Sequence, residues 1–248
     1  MATAVAARIR EEGGEAMAHA GDAADLDYTT QLVEDTLEEY GRIDGVANFA
    51  GILRDGLSYK LTEDDWDSVM RTHLRSHFAL LRAVAPHWRA EAGDGTLEPQ
   101  RSFLGVSSLA AKGNVGQLNY STAKAGVLGF VRSASSELYR YGVRVNALIP
   151  SGFSRMTETV PEEYRPYTRA EMPPERVAPP AAYLLSDAAT DVTGLTVHAG
   201  GDTIRLLSDP EVKRVGVREG GWTVDSIAEA FEESLTEEFE VTRTDRFF

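Results

Sequence analysis

The chain has 248 residues, 42% of them hydrophobic and 26% charged, the size and balance of one globular domain of α/β type with room for a tail. A formal net charge of −14 excludes a surface built to neutralise nucleic-acid phosphates, and the absence of cysteine excludes disulfides and thiolate metal sites. No apolar run approaches the length of a membrane span, and the amphipathic start M-A-T-A-V-A-A-R-I-R-E-E lacks the apolar centre of a signal peptide; the cytoplasm is expected from the lack of cysteine.

Residues 2–11 read as a helix closed by Gly13-Gly14, and residues 15–20 as a short strand ending at Gly21-Asp22. The segment from Asp25 to Tyr40 reads as a helix, with Leu32, Val33, Thr36, Leu37 and Tyr40 on one face and Gly41 as the stop. A strand from Ile43 to Asn48 runs into Phe49-Ala50-Gly51, and Thr62-Glu63-Asp64-Asp65 is a capped start for one long helix through Trp66, Val69, Leu74, Phe78 and Leu81. After a polar loop over 93–100 come a strand, Phe103–Val106, a helix carrying Tyr120, and a strand, Val143–Ile149, that Pro150-Ser151-Gly152 should break. Residues 157–175 read as irregular, 177–185 as helical, and Leu195–Ala199 as a last strand ending in Gly200-Gly201. This alternation predicts an α/β fold: a parallel, doubly wound sheet with right-handed crossovers. From Asp209 the character changes. Thr223 caps a helix with Ile227, Phe231, Leu235 and Phe239 at spacing four, a stripe suited to packing on the body or on a second subunit. The expected division is a domain over 1–207 and an extension over 208–248.

The chemistry concentrates between Ser107 and Lys124. Tyr120 and Lys124 stand four apart, so a helix places both on one face. A lysine beside a tyrosine favours the phenolate and should lower the phenol's pKa toward neutrality, fitting it for proton exchange. Ser107, thirteen residues before Tyr120, falls at a strand's carboxyl end, where its hydroxyl can donate to a substrate oxygen. His73 and His77 share a helical face at a two-ligand metal spacing, but no third ligand accompanies them, which favours a structural or proton-relay role.

With G-D-A-A-D at 21–25, N-F-A-G at 48–51 and V-R-V-N-A-L-I-P at 143–150, the S-x12-Y-x3-K pattern becomes highly specific. From about residue 5 to residue 202 the chain resembles the short-chain dehydrogenase/reductases. A-G-I-L-R-D at 50–55, W-D-S-V-M-R-T-H-L-R at 66–75, S-R-M-T at 154–157 and G-G-W-T at 220–223 resemble one subgroup, the (3R)-hydroxyacyl-CoA dehydrogenase part of peroxisomal multifunctional enzyme type 2, also called 17β-hydroxysteroid dehydrogenase type 4. The resemblance implies a Rossmann-type fold and reversible oxidation of a secondary alcohol with NAD or NADP, on a 3-hydroxyacyl thioester such as an acyl-CoA. It makes Tyr120 the general acid or base. Lys124 would hold the nicotinamide ribose, Ser107 would steady the substrate oxygen, and His73 would stand where most of the family has asparagine. Asp22 would meet the adenine, and Asn48, Ala50 and Gly51 would line the cofactor. Pro150 and Ser151 would approach the nicotinamide, and Ser154 its amide or the phosphates. Phe49 replaces a second asparagine beside the cofactor. The lid would lie around Val160, Tyr164 and Tyr167. The family implies a homodimer or homotetramer, with contact faces on the helices at 62–91 and 120–140.

Lysine occurs only at positions 60, 112, 124 and 213, and this acidic, lysine-poor surface is similar to that of proteins from salt-loving organisms. The family's glycine-rich turn T-G-x-x-x-G-x-G, which holds the pyrophosphate, has no match here. The expectation is therefore that the first βαβ unit is missing, leaving three readings: an incomplete record of an active dehydrogenase, an inactive subunit or regulatory partner, or a chain that binds nucleotide in an altered manner.

Overall fold

In the computed structural model, residues 2–158 and 162–230 are described. By compactness the chain divides into two units, Met1–Leu207 and Ser208–Phe248. The first opens with α1 (Ala2–Glu11) and α2 (Leu26–Tyr40). Asp25 caps α2 by accepting the Tyr28 N–H, and Gly41 ends it in the left-handed region at φ 75°. Next come β1 (Gly45–Asn48), α3 (Glu63–Met70), one π turn (Arg71–Arg75) and α4 (Ser76–Ala92). The order continues with β2 (Arg101–Val106), α5 (Leu118–Leu138), β3 (Val143–Ser151), α6 (Arg155–Glu158) and α7 (Ala178–Leu185). It closes with β4 (Thr196–Gly200) and β5 (Thr203–Leu207).

The sheet runs β1-β2-β3-β4-β5, parallel through β4 and antiparallel at β5. Alternation along the strands separates two cores. Phe103, Val145 and Ala147 face Val84 and Trp88 of α4 and Val127, Val131 and Leu138 of α5. Leu104 and Leu148 face Leu184 of α7 with Val177, Val197 and Ala199. Trp88 is fully buried and donates its indole N–H to the Ile43 carbonyl at 2.7 Å, fixing α4 against the entry to β1.

Several expectations change. Residues 15–20 are not a strand: β1 is an edge of the sheet, so this segment has no ladder, and His19 bonds instead to Tyr28 and Asp35. The strand after Gly41 begins at Gly45 rather than Ile43. Pro150 does not break β3, which continues through Ser151 with Pro150 opposite Ala199. The Leu148 carbonyl serves the Ser107 N–H; two residues on, Pro150 faces the same way, past the end of β2, where no ladder needs its missing N–H. The helix starting at Thr62 has the expected cap, a reciprocal Thr62–Asp65 box, but is interrupted by the π turn. Residues 157–175 are less irregular than expected, holding the end of α6 and single turns at Glu162–Tyr164 and Pro174–Val177. β5 is an unforeseen hairpin partner of β4. In the second unit, α8 (Val224–Ala230) is capped by Thr223, whose Oγ1 accepts the Ser226 N–H at 3.2 Å. Phe231, Leu235, Phe239 and Val160 lie outside the described residues.

Candidate active site

The four parallel strands end on one side of the sheet, and the sequence-marked groups collect there. Asn48 closes β1, Ser107 follows β2, and Pro150 and Ser151 close β3. α5 starts at Leu118 and delivers Tyr120 and Lys124 from its first two turns. Ligands of open α/β sheets bind at these carboxyl ends.

Lys124 is 3% exposed and donates through Nζ to the Val106 carbonyl at 2.7 Å, while Ser107 donates its hydroxyl to the Lys124 carbonyl at 2.7 Å. The end of β2 is thus tied to α5 twice. The Tyr120 ring stands edge-on to His73, with centroids 5.0 Å apart, and Lys124 Nζ lies 5.6 Å from its centroid.

Lys124 does not lower the phenol's pKa in this arrangement, contrary to the expectation from spacing. Burial pushes Tyr120 above its ordinary value, the Ser108 hydroxyl pulls it back, and the Asp55 carboxylate adds to the rise. The ammonium is turned into the Val106 carbonyl, and burial pushes Lys124 itself down to about 8. Ser108 was not anticipated. The doubled serine at 107–108 was the available signal, and it is the second hydroxyl that acts on the phenol.

His73 sits on the π turn, 1% exposed, with Nε2 2.7 Å from the Ile52 carbonyl oxygen and its buried Nδ1 without a hydrogen-bond partner among the described residues. Burial first, then the Lys124 charge, push it down to about 4, and its backbone bond at Ile52 opposes the fall. Asn48 accepts the Ala50 N–H at 3.1 Å and donates to Ser76 Oγ at 2.7 Å, which fixes the turn through Gly51. Ser151 bonds to His198 at 2.9 Å, and the Ser154 N–H donates to Thr157 Oγ1 at 3.2 Å. Asp22 accepts the Ala24 N–H and pairs with Arg71 at 2.7 Å, and these bonds, the first above all, hold its carboxyl below the usual range.

The family model described as enoyl-(acyl carrier protein) reductase matches residues 1–201. The chain belongs to the short-chain dehydrogenase/reductase family. It is 34% identical over 206 residues to a short-chain type dehydrogenase/reductase of Mycobacterium tuberculosis, covering 83% of this chain and 69% of that one. It is 33% identical over 210 residues to the 3-oxoacyl-(acyl-carrier-protein) reductase FabG of Staphylococcus aureus, covering 81% and 82%. A crystal structure of a short chain dehydrogenase from Mycobacterium avium superposes with a TM-score of 0.81 at 32% identity, covering 94% of this chain and 77% of that one. The short-chain dehydrogenases are oxidoreductases that use a nicotinamide dinucleotide. The donor set here suits the nicotinamide ribose: the Lys124 ammonium commits one N–H to Val106, leaving two for hydroxyl groups.

Proposed function

We propose that the chain interconverts a secondary alcohol and a ketone on a 3-hydroxyacyl or 3-oxoacyl thioester with NAD or NADP. The observation that carries the reading is the convergence of Ser107, Tyr120 and Lys124 at the carboxyl ends of the parallel strands, with Lys124 anchored on Val106. When bound, the nicotinamide supplies or takes up the hydride. Lys124 binds the ribose hydroxyls. Asn48, Ala50 and Gly51 would line the cofactor, Pro150 and Ser151 would approach the nicotinamide, Ser154 would touch its amide or the phosphates, and Asp22 would meet the adenine. Tyr120, kept protonated by burial, donates its proton to the substrate oxygen during reduction and recovers it during oxidation. Ser108 offers its hydroxyl to that oxygen. Ser107, expected there from its spacing, instead spends its hydroxyl on the Lys124 carbonyl and holds the end of β2 to α5, and His73 stands beside the phenol as the fourth group. Below about pH 8 the Lys124 ammonium is charged, which strengthens the hydrogen bonds it can give to ribose hydroxyls.

The thioester is supported by FabG, whose name specifies a 3-oxoacyl-acyl-carrier-protein substrate, and by the subgroup motifs at 50–55, 66–75, 154–157 and 220–223, which favour acyl-CoA. Grooves of about 730 Å³ along α3–α5, both lined by Phe78 and Phe130, favour a homodimer or homotetramer. No described helix is long and apolar enough to cross a membrane, and we assign the chain to the cytoplasm.

Titrating the 248-residue chain with NADH and NADPH, then offering a 3-oxoacyl-CoA, a 3-oxoacyl-acyl-carrier protein and a ketosteroid, tests the reading. Saturable cofactor binding and fastest oxidation of the reduced cofactor with the acyl-CoA are expected. Absence of saturation by either cofactor would favour an inactive dehydrogenase-like subunit instead.

A further inference from the structure

His77 lies fully buried on α4 against Phe103 and Phe130, and no step of the reaction above uses it. Its ring spans two backbone groups. Nε2 accepts the Val106 N–H at 3.0 Å, and Nδ1, which also has Asn48 Nδ2 at 3.0 Å, lies 2.5 Å from the His73 carbonyl; the two backbone partners together assign the neutral ring with its proton on Nδ1, donated to His73. Val106 needs that acceptor. β1 ends at Asn48 opposite Gly105, so the next N–H along β2 has no strand to bond. Gly105 makes the room: a Cβ there would stand 3.3 Å from the His77 ring. The carbonyl of the same Val106 holds the Lys124 ammonium, and the carbonyl His77 bonds belongs to the π turn that carries His73 against Tyr120.

We propose that His77 is a positioning residue for Lys124: it pins Val106 from the N–H side so that the Val106 carbonyl meets the ammonium. That this placement serves hydride transfer rests on the dehydrogenase reading above; the placement itself does not. The titratable groups facing Lys124 are Tyr120 from its own helix, His73 from the π turn and His77 from α4.

The test is the titration of Lys124 in protein carrying carbon-13 at the lysine ε-carbons, without substrate or cofactor. The chain has lysine only at 60, 112, 124 and 213, so a Lys124→Arg spectrum assigns the signal. His77→Asn reaches only the Nδ1 position and loses the acceptor for Val106, whereas the His77→Gln carboxamide reaches the Nε2 position and keeps it. The Lys124 midpoint should fall by about 0.5 or more in His77→Asn, as a bond to the charged form is lost, and stay at its original value in His77→Gln. Lys60, Lys112 and Lys213 should not move. A midpoint unchanged or raised in folded His77→Asn, or displaced alike in both variants, overturns the proposal. If His77→Asn does not fold, His77→Met, of similar bulk and without the acceptor, takes its place under the same criteria. Failure of the dehydrogenase reading shows elsewhere, as absence of cofactor-dependent turnover in the unsubstituted chain.

Discussion

At the scale of single residues, the site is a set of buried ionisable groups held by backbone atoms. His73 and His77 are both pushed down to about 4, by burial above all. Between that value and the ordinary histidine range, the unfolded chain binds protons that the native chain does not, so stability rises with pH there and is lost on acidification. Each histidine contributes a slope of up to about 1.4 kcal/mol per pH unit. The urea midpoint should therefore fall between roughly pH 7 and pH 5, and fall less in His77→Gln; an equal fall in both proteins would show that His77 carries none of it. The spacing of Tyr120 and Lys124 was enough to read that they share a helical face. The direction of the phenol's pKa was not readable, because it depends on where the ammonium points, and that is decided by Val106, eighteen residues away from Lys124. The partnership of His77 with Val106 was hidden for the same reason.

Among the elements, those with local signals were legible. Asp25 and Gly41 bracket α2 as their types predict, and Thr62 with Asp65 starts α3. Thr62→Ala should cost about 1 kcal/mol in denaturant unfolding, with cofactor binding unaffected. A cost near zero would mean that the box seen at Thr62 is not formed in solution. Elements defined by partners were not legible. Residues 15–20 alternate like a strand but have no strand to pair with among the described residues, and the π turn at Arg71–Arg75 has no local sequence signal of its own. β5 does carry a local signal, the Gly201-Asp202 turn with Gly201 at φ 54° joining it to β4. Gly105→Ala tests the contact between β2, α4 and α5, since its Cβ would meet Val131 at 3.1 Å as well as His77. A loss of roughly 1–3 kcal/mol is expected, with a displaced Lys124 titration; a neutral effect would mean that the interface is loose.

For the whole molecule, charge and topology act separately. A net charge of −14 opposes compaction without specifying a fold, so the melting temperature should climb as salt screens the repulsion. A melting temperature independent of salt would show that the acidic surface is already neutralised by its pairs. The topology gathers the carboxyl ends of the parallel strands, and there the chain places a phenol, an ammonium and two serine hydroxyls. The most direct measurement is the rate of reduced-nicotinamide oxidation by a 3-oxoacyl thioester, compared between the unsubstituted chain and Tyr120→Phe, with cofactor affinity measured in both. Loss of turnover with cofactor affinity retained is the predicted result; a Tyr120→Phe chain that turns over at the original rate would contradict the assignment of the proton to Tyr120.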